Sequence, residues 1–374
     1  MHDHSPVAGL TSSKHAEPAT RGRVAFPSIP DHWVPVAFSS DLKKKPYGIY
    51  VDDVPVVLWR VGAEVKALVD QCPHRSVKLS AGSVTDDGNI QCAFHAWRFG
   101  GDGICKAIPL VTGRERPNKV RAGRLAVEEV GGLIWLFTCV LDADEPPPTM
   151  RELPVSMTED GWSGDMIVRE WQAHWSRAIQ TMLDVAHIPF VHAKTIGAGL
   201  GRNIGKVSEA ELKLDLRKHD HGSYEMDWGL EDTKSSGKSD TGWLAFLPPN
   251  GMSLKVPMKG TTKVKGQKVP KEWYLHIFCT PTKAGCSNQI IVPRRNFGGR
   301  NPIWKAADAL NIVVLNEDKR NVETAWPSRV PGPASEISMP TDASTIAFQR
   351  YHWNTFVKPT HSRGGQYAIM EVSE

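Results

Sequence analysis

Two short stretches of this chain carry residue types that bind metal. Cys72-Pro73-His74 is followed, after seventeen intervening residues, by Cys92-Ala93-Phe94-His95, so a C-x-H pair precedes a C-x-x-H pair. Two thiolates and two imidazoles make a closed set of four donors, and zinc would accept the same atoms. Zinc fingers commonly pair Cys with Cys and His with His, whereas here each loop supplies one of each. That mixture suits a [2Fe–2S] cluster with both thiolates on one iron and both imidazoles on the other. Neutral imidazoles reduce the negative charge at the outer iron and raise the reduction potential above that of an all-Cys cluster. Such a centre stores and passes one electron; a zinc knuckle is the alternative for the same four residues. Cys105 lies near both pairs but outside them and reads as a small buried hydrophobe.

The second unusual stretch is Asp184-Val185-Ala186-His187-Ile188-Pro189-Phe190-Val191-His192. Asp184 and His187 are three apart on a predicted helix and share a face, which Gln180 joins one turn earlier. His192 is five residues past His187, wrong for a straight helix, and Pro189 offers a bend. Two histidines need an anionic third ligand to build the 2-His-1-carboxylate triad of non-haem iron oxygenases. In a late helix Leu310, Val314, Asp318 and Val322 fall at four-residue spacing, so one carboxylate interrupts an apolar stripe. An inward carboxylate is costly unless paired or bound to metal. Glu317 and Glu323 lie off that stripe and are the alternatives. On its own, H-x-x-x-x-H is weak evidence, and two histidines at a core edge after a helix end are the more frequent explanation.

The elements that must position these residues fall into two blocks. Residues 1–29 lack periodicity and read as a flexible arm. From 30 to 145 the chain reads as a small β domain, with runs such as Val54 to Trp59 and Leu133 to Phe137 between turn signals. Glu145-Pro146-Pro147-Pro148 marks the boundary to a second domain over 146–374. There, Ser176 to Ala186 has helical spacing and Pro189 should end the helix. Residues 208 to 296 read as a meander of strands, with turns at Ser235-Ser236-Gly237 and Pro248-Pro249-Asn250-Gly251. Asn301-Pro302 is a helix start, and that helix should run toward Ala325 and stop before Pro327.

Bulk properties exclude several functions. A length of 374 residues suggests two domains, and 45 Lys and Arg against 41 Asp and Glu leave a net charge of only +4. That balance gives no electrostatic reason to expect nucleic acid. The best apolar run, Leu133 to Phe137, falls far short of the ~20 residues a membrane span needs. The opening residues lack the apolar segment of a secretory signal. Six cysteines in so long a chain do not make a disulfide scaffold, so a cytoplasmic protein with reduced thiols is expected. Gly100-Gly101-Asp102-Gly103 lacks the spacing of a dinucleotide loop, so reducing equivalents are expected from another protein.

The two motifs together resemble those of the Rieske non-haem iron oxygenases, specifically the oxygenase α-subunit of the short homotrimeric type. The resemblance rests on the Cys/His pairs with Pro73, Arg75, Trp97-Arg98-Phe99 and the Gly100-Gly101-Asp102-Gly103 turn. It also rests on the Asp184 to His192 stretch and on Asp318-Lys319-Arg320-Asn321-Val322-Glu323. It covers about residues 31 to 357, with both motifs in the family's order. The chain departs at Gln180-Thr181, where relatives usually carry Asn or an acid. The resemblance implies an α+β chain: an all-β Rieske domain followed by a helix-grip-like catalytic domain, an antiparallel sheet flanked by helices. It implies a [2Fe–2S] cluster on Cys72, His74, Cys92 and His95, and a mononuclear Fe(II) on His187, His192 and Asp318. It implies a head-to-tail homotrimer in which Asp184 bridges His187 to the partner subunit's His95, carrying electrons between centres. Electrons would come from a separate ferredoxin or flavin reductase. The implied reactions are hydroxylation, O- or N-demethylation or dihydroxylation of aromatic or other cyclic compounds. A pocket is expected between the strands of 208–296 and the iron helix, lined by Met182, Ile188, Trp243, Phe246, Met252, Leu254 and Phe278. The rival reading is an electron-transfer or binding protein whose second domain holds no iron.

Overall fold

The computed structural model describes residues 26–110, 119–198, 210–232, 239–283, 285–299 and 301–359. The first block is built on six strands: β1 (Trp33–Phe38), β2 (Tyr47–Val51), β3 (Val54–Val61), β4 (Glu64–Val69), β9 (Arg124–Val130) and β10 (Leu133–Leu141). They pair antiparallel in the order β1-β10-β9-β4-β3-β2. A small second sheet, β5 (Ser83–Val84), β6 (Ile90–Gln91), β7 (Arg98–Phe99) and β8 (Cys105–Ala107), stands beside it. The expected strands at Val54 and Leu133 are β3 and β10. Cys105 is a buried member of the core under the small sheet, together with Trp59, Leu79 and Phe99.

The second block is a seven-stranded antiparallel sheet, in the order β11-β19-β18-β15-β14-β13-β12. Its strands are β11 (Ile167–Trp171), β12 (Ala210–Lys218), β13 (Tyr224–Asp232), β14 (Ser239–Leu247), β15 (Gly251–Val256), β18 (Trp273–Pro281) and β19 (Ser287–Arg295). β16 (Thr261–Val264) and β17 (Gln267–Pro270) form a separate hairpin. The expected turn at Pro248 to Gly251 joins β14 to β15, while Ser235-Ser236-Gly237 lies outside the described residues. One face of the sheet is covered by α2 (Trp175–Leu183), α4 (Pro302–Val322) and α5 (Ala343–His352); the short helices α1 (Val155–Thr158) and α3 (Ile188–Val191) flank it.

Local chemistry explains the helix ends. Asn301 accepts the Ile303 N–H with its side chain and Pro302 occupies the first turn, so α4 begins where expected. It closes at Val322, three residues before the expected Ala325. α2 stops at Leu183, also three residues early, because the Asp184 carboxylate takes the Ala186 N–H at 2.7 Å and turns the chain. Asp184 and His187 therefore do not share a helical face.

The two blocks share a wall. Leu133 and Trp135 of β10 pack with Phe278, Ile290 and Val292 of the large sheet, while Ile134 and Leu136 enter the main core from the other face. A strand buried on both sides must be apolar at every position, which accounts for the unbroken run Leu133 to Phe137. The expected arm is shorter than 29 residues. Residues 1–25 lie outside the described residues, but Phe26 and Ile29 are buried, and Ser28 binds both the Asp52 carboxylate and the Trp175 indole N–H.

Candidate metal centres and active site

The four donors of the first centre sit on two loops with one backbone plan. In each, the Cys N–H donates to the carbonyl five residues on: Cys72 to Val77 at 2.8 Å, Cys92 to Trp97 at 2.9 Å. The N–H four residues on returns to the Cys carbonyl, from Ser76 at 2.9 Å and from Ala96 at 3.1 Å. Ser76 and Ala96 both have left-handed φ, 58° and 53°, a costly state for residues with a Cβ and a mark of functional geometry. Cys72 and Cys92 are each 2% exposed. Burial pushes the Cys72 thiol up to about 11, so a thiolate there calls for a cation. The His74 ring stacks on Trp97 at 4.4 Å between centroids and meets His95 edge-on at 4.5 Å. His74 Nδ1 is buried with no hydrogen-bond partner, a free ligand atom, while His95 stands exposed at the loop tip beside Phe94.

Among the described residues, only His187, His192 and Asp318 bring three Cys, His or acidic donor atoms within 4.8 Å of one another. The donors of Cys72, His74, Cys92 and His95 stand farther apart than that, a spacing that suits a group with two metal positions.

At the second centre, one turn of helix does the positioning. α3 has Pro189 in its first turn and is bracketed by His187 and His192, whose Nε2 atoms approach to 3.3 Å. Asp318, on the inner face of α4, places Oδ1 at 3.3 Å from His187 Nε2 and 3.1 Å from His192 Nε2. Three donors about 2.1 Å from one ion, at right angles around it, would stand about 3.0 Å apart. The triangle fits. Asp318 is 5% exposed, and its Oδ1 lies buried without a hydrogen-bond partner. Burial opposes charging of His187, yet the carboxylates of Asp184 and Asp318 outweigh it and bring the imidazole to about 9. The same imidazoles, against burial, hold Asp318 below the usual carboxylate range. A site that gathers positive charge around a buried carboxylate is suited to exchange those protons for a metal cation.

The alternative carboxylates are elsewhere. Glu317 Oε2 accepts from His192 Nδ1 at 2.8 Å and from the Thr195 hydroxyl at 2.6 Å, so it orients a candidate ligand from behind. Glu323 accepts the Gln172 N–H at 2.7 Å. Sequence reading named Glu317 but missed this role, whose one signal is an acid directly beside Asp318. Asp184 Oδ2 stands 3.9 Å from His187 Nδ1, too far for a hydrogen bond. Gln180 does not join the histidines: its Oε1 accepts from Arg177 and its Nε2 reaches Glu336. Of the expected apolar stripe, Asp318 and Val322 are buried but Leu310 is 48% exposed; the buried face runs through Asp308, Leu315, Asp318 and Val322.

The pocket candidates divide by strand parity. Met182, Ile188, Phe246, Met252 and Leu254 lie on the helix-covered face of the sheet. Phe278 does not: it packs edge-on against Trp135 of the small domain at 5.2 Å. Trp243 alternates with Leu244 and Phe246, so it points to the opposite face, where it meets Tyr274. Leu212, Leu214 and Leu216 of β12 belong on the helix-covered face, and their Leu-x-Leu-x-Leu pattern is the signal sequence reading passed over. A cavity of about 690 Å³ is lined by Lys213, Asp227, Trp243 and Lys255 among others, and touches none of the triad.

Comparison with known proteins fits this geometry. Residues 32–120 match the Rieske [2Fe–2S] domain, and residues 171–355 match the vanillate O-demethylase oxygenase C-terminal domain. The chain is 24% identical over 351 residues to methylxanthine N1-demethylase NdmA of Pseudomonas putida, spanning 89% of this chain and 90% of that one. It is 26% identical over 166 residues to the 3-chlorobenzoate-3,4-dioxygenase oxygenase subunit of Comamonas testosteroni, 43% of this chain and 37% of the other. It spans only 49% of Protein TIC 55 of Arabidopsis thaliana. Dicamba monooxygenase bound to dicamba shares the fold with a TM-score of 0.65 at 19% identity, over 89% of this chain and 98% of that chain.

Proposed function

Because this chain belongs to the Rieske non-haem iron oxygenases, as an oxygenase α-subunit, we propose that Cys72, His74, Cys92 and His95 hold its [2Fe–2S] cluster and that His187, His192 and Asp318 hold its catalytic Fe(II). The observation that carries the second assignment is the triangle of donor atoms with sides of 3.1–3.3 Å around an otherwise unpartnered carboxylate oxygen. When bound, the cluster supplies single electrons and the ferrous ion supplies open positions for O₂.

The chain's own residues do the rest. Glu317 holds His192 with Nδ1–H outward, leaving Nε2 as the donor. Asp184 spends one carboxylate oxygen on the Ala186 N–H and keeps the other toward His187, which suits a bridge to a neighbouring subunit's imidazole. A head-to-tail homotrimer is supported by large apolar side chains left bare: Phe94 beside the first centre is 61% exposed, Phe190 beside the second 67%, and Trp326, past the end of α4, 93%. Met182, Ile188, Phe246 and Leu254, with β12, form an apolar wall for an aromatic or other cyclic substrate, to be hydroxylated or demethylated. The demethylase and monooxygenase among the relatives favour those two reactions. Electrons come from a separate ferredoxin or flavin reductase, and six cysteines outside any disulfide fit a cytoplasmic setting.

Metal analysis tests this reading: three irons and two acid-labile sulfides per chain are expected. Asp318→Ala should keep the cluster spectrum and lose one iron together with O₂ consumption. An unchanged iron count in that variant would overturn the ligand assignment. Asp184→Asn should retain all three irons but slow reoxidation of the cluster.

A further inference from the structure

The inward face of α4 is a stripe of Asp308, Asn311, Leu315, Asp318 and Val322, at intervals of three, four, three and four. Four of its members are accounted for. Asp308 pairs with Arg295 and accepts the Asp165 N–H, Leu315 and Val322 enter the main core, and Asp318 closes the triad. Asn311 is the exception: its Nδ2 is buried and donates to nothing. Asn301 serves as the cap, Asn321 donates to the Glu317 carbonyl and Asn316 is exposed, so none of the other asparagines of this helix region shares the condition of Asn311. A buried amide without a partner is unfavourable, and where one persists it marks a place that something else fills.

Asn311 lies seven residues from Asp318, two turns along one face, about 10 Å along the axis. The core that this face enters contains Met182, Ile188, Leu214 and Leu254, a largely apolar surface with few groups able to orient a guest. The geometry points to Asn311 as the residue that selects and orients the substrate. Its amide N–H donates to a carbonyl-type oxygen on a flat ring whose oxidised carbon lies at the triad. The chemical class is thus cyclic compounds bearing a carbonyl oxygen remote from the reacting carbon, in preference to plain hydrocarbons of the same shape. This inference rests on the oxygenase reading above and names the substrate class of that site.

The test uses the iron-loaded full chain under nitrogen and two probes of similar shape, 3-methoxyacetophenone and 3-ethylanisole, which differ in having a carbonyl or a methylene on the ring. Binding is measured by calorimetry, without turnover. The wild type should favour the ketone about tenfold, the discrimination one unpaired donor gives. Asn311→Leu should reduce that ratio to about one by strengthening binding of the ethyl compound. Asn311→Asp, which offers an acceptor in place of the donor, should favour the ethyl compound. Asn311→Ser keeps a small donor and should retain part of the preference, which covers the case of a Leu variant that does not fold. A wild type that binds both probes equally, or neither, overturns the inference, as does a Leu variant with the ratio intact; either result would mean that water alone occupies the amide. Iron content is read on the same samples. Three irons with no ligand preference would sink the role of Asn311 and leave the oxygenase reading standing, whereas a missing third iron would sink that reading itself.

Discussion

Removing the carboxylate behind His192 gives the sharpest test of how the iron site is held. His192 is 2% exposed, and its Nδ1 is committed to Glu317 Oε2 at 2.8 Å, a contact shared with the Thr195 hydroxyl at 2.6 Å. That bond selects the tautomer, turns the ring so that Nε2 meets Asp318, and makes the ring a stronger donor. In Glu317→Ala the imidazole loses all three at once. Such losses cost about 10–100-fold in metal affinity, which is about 1.4–2.7 kcal/mol. Glu317→Gln keeps an acceptor but not its charge, so about tenfold or less is expected. The assay is an anaerobic Fe(II) titration of metal-stripped protein against a competing chelator, with the visible spectrum of the cluster as an internal control. Thr195→Val, which removes only the second contact to the same oxygen, should fall between wild type and Glu317→Gln. Iron affinity within twofold of wild type in Glu317→Ala would refute the orienting role.

Three further outcomes follow from the same geometry. Asp308→Ala strands the Arg295 guanidinium, 3% exposed, and leaves the Asp165 N–H without its acceptor; urea melts should show a loss of about 3–5 kcal/mol, and a loss below about 1 kcal/mol would contradict it. Burial holds His174, His276 and His352 each down to about 3, so below about pH 6.5 the unfolded chain takes up protons that the folded chain refuses. These three histidines therefore leave stability unchanged above that pH and lower it below, by about 2 kcal/mol each at pH 5. His352 touches Trp175, Phe348 and Phe356, faces the charges of Arg329 and His174, and has no hydrogen-bond partner on either nitrogen. His352→Phe should thus gain on wild type as the pH drops from 7 to 5, and a pH-independent difference would count against the assignment. Paired replacement of Phe94 and Trp326 by Ser should shift sedimentation from trimer to monomer with the cluster colour retained; an unmoved boundary would remove both side chains from the interface.

The candidate metal-binding residues were readable because their chemistry is local: each Cys/His pair lies within one loop, and His187 and His192 bracket one turn. Asp318 was readable because a carboxylate on a buried helical face needs a partner. The division of labour between Glu317 and Asp318 was not, since adjacent residues on a helix differ only by a rotation about its axis and both reach the histidines. The early end of α2 depends on a side chain–backbone bond from Asp184 that competes with helix and leaves no periodic trace. Trp243 and Phe278 were placed wrongly for a different reason. β14 and β18 carry apolar residues on both faces, so alternation separates the faces without saying which one meets the helices. Phe26 to Ile29 were missed because their burial comes from partners at Asp52 and Trp175, remote in sequence.

The wall formed by β10 has a consequence for anyone recombining this enzyme with its relatives. A cut at Pro146-Pro147-Pro148 looks like a natural joint, yet it would graft a foreign half onto a surface already shaped for Phe278, Ile290 and Val292. Chimeras that exchange substrate preference should carry Leu133 to Phe137 together with their opposing strands, or confine the exchange to the far end of the large sheet around β12 and β13.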